Sequence, residues 1–264
     1  MKTRLLPYLV LTLVVAQLSV LAGVAAAQSI DPRREYHACM DEARSNPKLG
    51  FDHAVHWLGL GGGDAARHCQ GVALIGMGQH AEGARRIEAL AQDMRAVSGF
   101  RAELLAQAAQ GWMLAGNAQQ AEALLTAAIK LDPNDLELRL DRSQALAQRG
   151  DFATVIADLS TVLAQDPTKV DALVFRASAY RQTGKTDLAT ADLVAALQLN
   201  PSHPEALLER GMLNRLAGNA AAARRDWLSV IERSPASPAA KVAQENLERM
   251  DSGRDGTKGL PKAK

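Results

Sequence analysis

Along the middle of the chain, apolar positions recur three and four residues apart in two stripes per unit, and the stripes are broken alternately by glycine and by proline. In the unit from 170 to 203, Leu173, Ala177 and Tyr180 make one stripe before Gly184. Leu188, Ala189, Leu193 and Ala196 make the next before Pro201. Gly116, Gly150, Gly184 and Gly218 stand 34 residues apart, and Pro133, Pro167, Pro201 and Pro235 keep the same interval. Glycine supplies the backbone freedom that ends one helix, and proline cannot sit inside the next. Each unit is therefore predicted to be a helical hairpin, with four units at 102–135, 136–169, 170–203 and 204–237, and the fold class is all-α.

Upstream the pattern weakens without vanishing. Gly71, Leu74, Gly78, Gly83, Ile87 and Leu90 fit a further unit from about Asp64, but Gly78 and Gly116 are 38 apart, which places four inserted residues near Val97 to Phe100. Residues 33 to 60 read as a divergent hairpin. Tyr36, Cys39, Met40 and Ala43 lie on one helix and Phe51, Ala54, Val55 and Leu58 on the other, split by Asn46-Pro47. The segment 28–101 is thus read as divergent N-terminal hairpins, 238–250 as a capping helix carrying Lys241, Gln244, Glu245 and Glu248, and 251–264 as a disordered polar tail.

The first 27 residues belong to another kind of segment. Lys2 and Arg4 precede an apolar run from Leu5 to Ala22, and Ala25-Ala26-Ala27 offers a small-residue cleavage site before Gln28. This is the layout of a secretory signal, so the mature chain is expected in the periplasm or outside the cell, with no membrane span. A retained anchor is the alternative, because the run approaches spanning length. Of 30 bases and 29 acids, the leader carries two bases and no acid, which leaves a near-neutral mature chain. Neutrality argues against a nucleic-acid protein, and 47% hydrophobic residues argue against a disordered one. If export occurs, Cys39 and Cys69 meet an oxidising compartment. An isolated pair without Cys-x-x-Cys spacing is then expected to form a disulfide, closing a loop of about 30 residues worth on the order of 3 kcal/mol.

The repeats resemble the tetratricopeptide repeat family. Ala109, Trp112, Gly116, Ala121, Leu125, Ala128 and Pro133 stand at the family's spacing, as do Ala177, Tyr180, Gly184, Ala189, Leu193, Ala196 and Pro201. Asp132-Pro133-Asn134, Asp166-Pro167 and Asn200-Pro201 resemble its inter-repeat turn, whereas Asn214 and Val155 depart from the pattern. Together with the leader, the combination of Cys39, Trp57, Gly61-Gly62-Gly63 and His68-Cys69 resembles exported bacterial members. The resemblance implies a right-handed superhelical solenoid whose concave face, formed by the first helix of each hairpin, binds protein segments. It would present Glu103, Gln107, Gln110 and Met113, then Glu137, Asp141, Gln144 and Gln148, then Asp171, Phe175, Ser178 and Arg181, then Glu205, Glu209, Met212 and Arg215. That face is acidic and amide-rich and lacks the family's lysine, arginine and asparagine clamp for a terminal carboxylate, so a basic or polar extended segment is the expected guest. The acids Glu103, Glu137, Asp171 and Glu205 also suit helix N-termini, with no binding role required.

Comparison of the units with one another adds a second set of residues. Arg142, Arg176 and Arg210 each stand eight residues before a turn glycine, and Asp158, Asp192 and Asp226 each stand eight after it. Positions equidistant from a hairpin turn face each other, so three structural ion pairs are expected; the first unit has Ala108 and Leu124 there, losing both charges together. Signals for catalysis are weak. Gly184-Lys185-Thr186 resembles the end of a phosphate loop, but Ala179 stands where that loop needs glycine, and Gly61-Gly62-Gly63 follows a helical pattern rather than a strand. His53 and His56, three apart on one helix, could share a metal with His68 or Cys69, and oxidation of the cysteines would remove the thiolate ligand. The expectation is a non-catalytic scaffold with no cofactor. Self-association through the last hairpin, near Trp227 and Leu228, and a metal or redox role for the N-terminal hairpins are the alternatives.

Overall fold

The computed structural model describes residues 31–93 and 98–253. The leader, the tail from 254 and residues 94–97 lie outside them. The described residues form thirteen helices and no strand. They pair in chain order as α1 (Pro32–Ser45) with α2 (Pro47–Gly59), α3 (Gly63–Gly76) with α4 (His80–Asp93), and α5 (Ser98–Leu114) with α6 (Ala118–Leu131). The series continues as α7 (Leu136–Gln148) with α8 (Phe152–Gln165), α9 (Val170–Gln182) with α10 (Thr186–Leu199), and α11 (Pro204–Leu216) with α12 (Ala220–Arg233), closed by α13 (Pro238–Asp251). From α2 onward each helix packs mainly on its neighbours in sequence, the signature of a solenoid, while α1 packs on both α2 and α3.

The hairpin turns repeat one local solution. Gly116 takes φ +77°, and the Asn117 N–H reaches back to the Trp112 carbonyl at 2.8 Å. Asn117 then caps α6 by accepting from the Gln120 N–H at 3.1 Å. Gly78, Gly150, Gly184 and Gly218 have the same left-handed backbone, which a side chain would strain. The period therefore follows from where the chain can afford a positive φ.

The inserted residues appear as length rather than as a loop. Helix α5 has 17 residues where α7, α9 and α11 have 13, an extra turn at its start. The first hairpin turns through a single residue, Asn46, whose side chain accepts from the Leu49 N–H at 3.3 Å. Helices α1 and α2 touch along Gly50, where a Cβ would stand 2.4 Å from the Ala43 backbone nitrogen. Core patches follow one another along the stack, from Cys39, Trp57 and Cys69 through Ile87, Leu104 and Leu125, then Leu159 and Leu193, to Trp227 and Leu247.

Some expectations are corrected. Leu188 is half exposed and is no part of the second stripe of its unit. Trp227 is buried against Gly211, where an added Cβ would meet its indole nitrogen at 2.3 Å, so of the two residues expected at a self-association surface only Leu228 is exposed. The capping helix ends at Asp251, with Lys241, Gln244, Glu245 and Glu248 exposed. Among the described residues no helix is long and apolar enough to cross a membrane.

Candidate functional site

The first helices of successive hairpins line a continuous series of hollows. The first, about 310 Å³, lies among Met40, Arg44, Val72, Ile75, Gln107 and Gln110. It shares Gln110 and Leu114 with the second, about 370 Å³, which Met113, Leu125, Asp141 and Gln144 complete. Gln144 also lines the third, about 280 Å³, with Leu140, Asp171, Val174, Phe175, His203 and Glu205. The groove therefore runs over six first helices, from α1 to the start of α11. A helical face becomes a groove here because residues four apart, such as Leu140 and Gln144, stack on one side of the helix.

The structure sorts the expected groove residues into two groups. Gln107, Gln110, Met113, Asp141, Gln144, Asp171, Phe175 and Glu205 line the hollows. The others do different work. Arg181 donates from Nε to Glu209 Oε2 at 2.7 Å and Ser178 donates to Glu209 Oε1 at 3.1 Å, which ties α9 to α11. Met212 lies in the last core patch, its sulfur 3.3 Å from Asn246 Nδ2. Glu137 pairs with Lys169, and Glu103 accepts from Gln107 Nε2 at 3.3 Å. Gln148 is exposed at the end of α7, and Arg215 stands in the last turn of α11. The groove residues missed by sequence reasoning are Met40, Arg44, Val72, Ile75, Ile87, Leu114, Leu125, Leu140, Val174 and His203. Leu140 and Val174 are one repeat apart, so the period itself carried the signal.

The expected acidity is neutralised in part. Glu137 and Glu209 have cations, and His203 Nε2 lies 3.1 Å from Asp171 Oδ1. Asp141 stands apart: Gln110 is its hydrogen-bond partner, and among the described residues no cation pairs with it. Burial raises its carboxyl above the ordinary value of 3.8, and repulsion from Glu137 and Asp135 adds to the effect. The middle of the groove thus holds a carboxylate that would gain from a positive guest.

The three hairpin ion pairs are bidentate. Arg142 donates from Nε and Nη2 to Asp158 at 2.8 and 2.6 Å, Arg176 to Asp192 at 2.8 and 2.8 Å, and Arg210 to Asp226 at 3.0 and 2.6 Å. Arg142 and Arg176 use Nη1 as well, donating to Thr126 and Ser160 on the preceding hairpin. They staple helices within a hairpin and hairpins to each other.

Of the N-terminal donors weighed for a metal, His53, His68 and Cys69 are engaged elsewhere, and His56 is exposed on α2. Cys39 and Cys69 form a disulfide between α1 and α3, with Cα atoms 6.1 Å apart. His53 lies between Glu42 and Glu35 at 2.7 and 2.8 Å. His68 is buried, with Nδ1 2.7 Å from the Tyr36 hydroxyl and Nε2 2.6 Å from Gln107 Oε1. The amide oxygen of Gln107 can only accept, so His68 carries its proton on Nε2 and Tyr36 donates to Nδ1. This chain of bonds links α1 through α3 to the groove residue Gln107.

Two family models described as tetratricopeptide repeat match the sequence, over residues 113–168 and 176–238. No curated protein matches it. Among solved structures, MamA 41-end from Desulfovibrio magneticus RS-1 is 19% identical over 66% of this chain and 97% of that one, with a TM-score of 0.57. YrrB, described as a TPR protein with an unusual peptide-binding site, is 14% identical over 68% and 91%, with a TM-score of 0.50. A thermophilic TPR protein of Thermus thermophilus, TTC0263, is 19% identical over 57% and 84%, with a TM-score of 0.50. Likeness at these identities concerns the fold, and it agrees with the repeat period, the turn glycines and the stacked hairpins. The chain is a member of the tetratricopeptide repeat family.

Proposed function

We propose that the protein is an exported, non-catalytic scaffold that holds an extended segment of a protein partner along its first-helix groove. The observation that carries this reading is the continuity of the three hollows around Asp141, a half-buried carboxylate with no cation of its own among the described residues. A lysine or arginine of the guest would neutralise it, and an apolar guest residue would enter the socket of Leu140, Val174 and Phe175. Glutamine amides at 107, 110 and 144 can bond an extended backbone without regard to its sequence. The presence of peptide binding on the same fold in YrrB supports the assignment. Export rests on the leader, with the mature chain beginning at Gln28 in the periplasm.

A photoreactive amino acid at position 144, in the full chain expressed in cells, tests the groove. A partner captured there is expected to be lost with D141K or F175E and not to be captured from position 161 on the opposite helix. Equal capture from both positions would refute the reading. Sequencing the N-terminus of the fractionated protein tests export, with Gln28 expected and Met1 the contrary result.

A further inference from the structure

One junction between hairpins differs in a coordinated way from the one before it. Where α8 meets α9, the space is filled by Phe152, Ile156 and Tyr180, and Arg176 lies over the Tyr180 ring at 5.7 Å while its Nη1 donates to Ser160 at 3.1 Å. One repeat later, where α10 meets α11, the equivalent positions are Thr186, Thr190, Asn214 and Val194. The aromatic rings, the isoleucine and the hydroxyl that took the arginine's third nitrogen are all gone. A hollow of about 260 Å³ takes their place, sharing no lining residue with the groove.

Arg210 faces this hollow. It keeps its bidentate pair with Asp226, helped by Asn214 Nδ2 at 3.1 Å, but no described residue accepts from its Nη1. Its side chain is 44% exposed, against 17% for Arg142 and 19% for Arg176. Its charge is already balanced by Asp226, so a further anion gains little from it, whereas a neutral oxygen can accept from the spare N–H. The preceding junction shows which groups complete such an arginine: an aromatic face and a hydroxyl.

We propose that the hollow between α10 and α11 is a socket for a tyrosine side chain of a protein partner. The ring takes the space that Phe152 and Tyr180 fill one repeat earlier, beside Thr190 and Val194, and the phenol oxygen accepts from Arg210 Nη1 in the plane of the guanidinium. Tyrosine alone among the side chains carries both missing groups. The site is independent of the groove and holds whether or not the groove binds its guest as described.

The tyrosine side chain by itself, p-cresol, is the probe. Titrated into the full chain and followed by amide chemical shifts, it is expected to shift Thr190, Val194 and Asn214 saturably, and to bind about fivefold more tightly than toluene, the worth of one hydrogen bond. V194S supplies an internal hydroxyl for Nη1 and is expected to remove the advantage of p-cresol over toluene. N214Y fills the hollow and is expected to abolish binding of both without lowering Tm. No saturation up to the solubility limit would overturn the proposal, as would equal affinity for toluene in the unaltered protein or undiminished binding by N214Y.

Discussion

Arg181 on α9 and Glu209 on α11 are joined across successive hairpins, Nε to Oε2 at 2.7 Å, with both side chains largely buried. One helix face earlier, Arg210 lacks the hydroxyl partner that Arg142 and Arg176 have on the preceding hairpin. The same pair of hairpins is therefore clamped along the groove and hollow beside α10. A repeat protein can build different contacts on two sides of one junction because each junction is a local nearest-neighbour interface.

The Arg176–Asp192 pair sets up a substitution series in which a second change restores what the first removes. D192A leaves the guanidinium without its carboxylate at a site where Arg176 is 19% exposed, and it should cost about 3 kcal/mol in urea unfolding. The double variant R176A/D192L copies Ala108 and Leu124 of the first regular unit, where the chain already packs an apolar pair. It should lie within about 1 kcal/mol of the parent, since an apolar pair of suitable volume replaces a buried ion pair at little cost. A double variant as unstable as D192A would show that the pair is needed for more than filling and register.

Asp141 links stability to binding with opposite signs. Its folded carboxyl titrates above 3.8 because of burial, reinforced by Glu137 and Asp135, so the folded chain holds that proton more tightly than the unfolded chain. Stability from this group accordingly falls as pH rises from 3.8 through the raised value and stays low above it. D141N is expected to raise Tm by about 2 °C at pH 7, with no gain at pH 3. The same substitution should weaken capture of a basic guest from position 144.

His53 and His68 should move stability in opposite directions with pH. Burial lowers the pKa of His53, but hydrogen bonds to Glu42 and Glu35 outweigh it and hold the ring above 6.5. Its contribution is full below 6.5 and is lost as pH rises through the raised value. Burial holds His68 below 6.5 despite the bond to Gln107, so its contribution is lost as pH falls from 6.5 through the lowered value. H53Q should therefore cost more at pH 6 than at pH 9. Ring resonances followed by NMR should show His53 titrating above 6.5 and His68 below it.

Two glycines on exposed and buried helix faces give a stability test with contrary expectations. At Gly50 a Cβ would stand 2.4 Å from the backbone nitrogen of Ala43, and a backbone cannot swing aside as a side chain end can. G50A should cost about 3 kcal/mol and should loosen the docking of α1 on α2. At Gly99, in the extra turn of α5, nothing lies within 4 Å of a Cβ. G99A should stabilise by about 0.5 kcal/mol through the entropy of the unfolded chain.

Much of the architecture was legible before any coordinates. The hairpins follow from glycines and prolines at fixed intervals, and the facing of Arg142 and Asp158 follows from their equal distance from Gly150. The departure at Asn214 was visible as a break in the pattern, but its meaning was not, because a hollow depends jointly on Thr186, Thr190 and Val194 on another helix. The N-terminal wall of the groove, with Met40, Arg44, Val72 and Ile75, escaped notice because the first two hairpins depart from the repeat pattern.

The sequence by itself determined the helical hairpins, their period and the turns between them, because positive φ at glycine and the fixed φ of proline are properties of one residue in its own backbone. Only the tertiary structure decided which groove charges remain open. Lys169 reaches Glu137, His203 reaches Asp171 and Arg181 reaches Glu209 across 28 to 32 residues of chain, and Asp141 is left with an amide. Those partnerships depend on how one hairpin stacks on the next and how far a long side chain extends. That is a matter of distance in space, which the order of residues does not state.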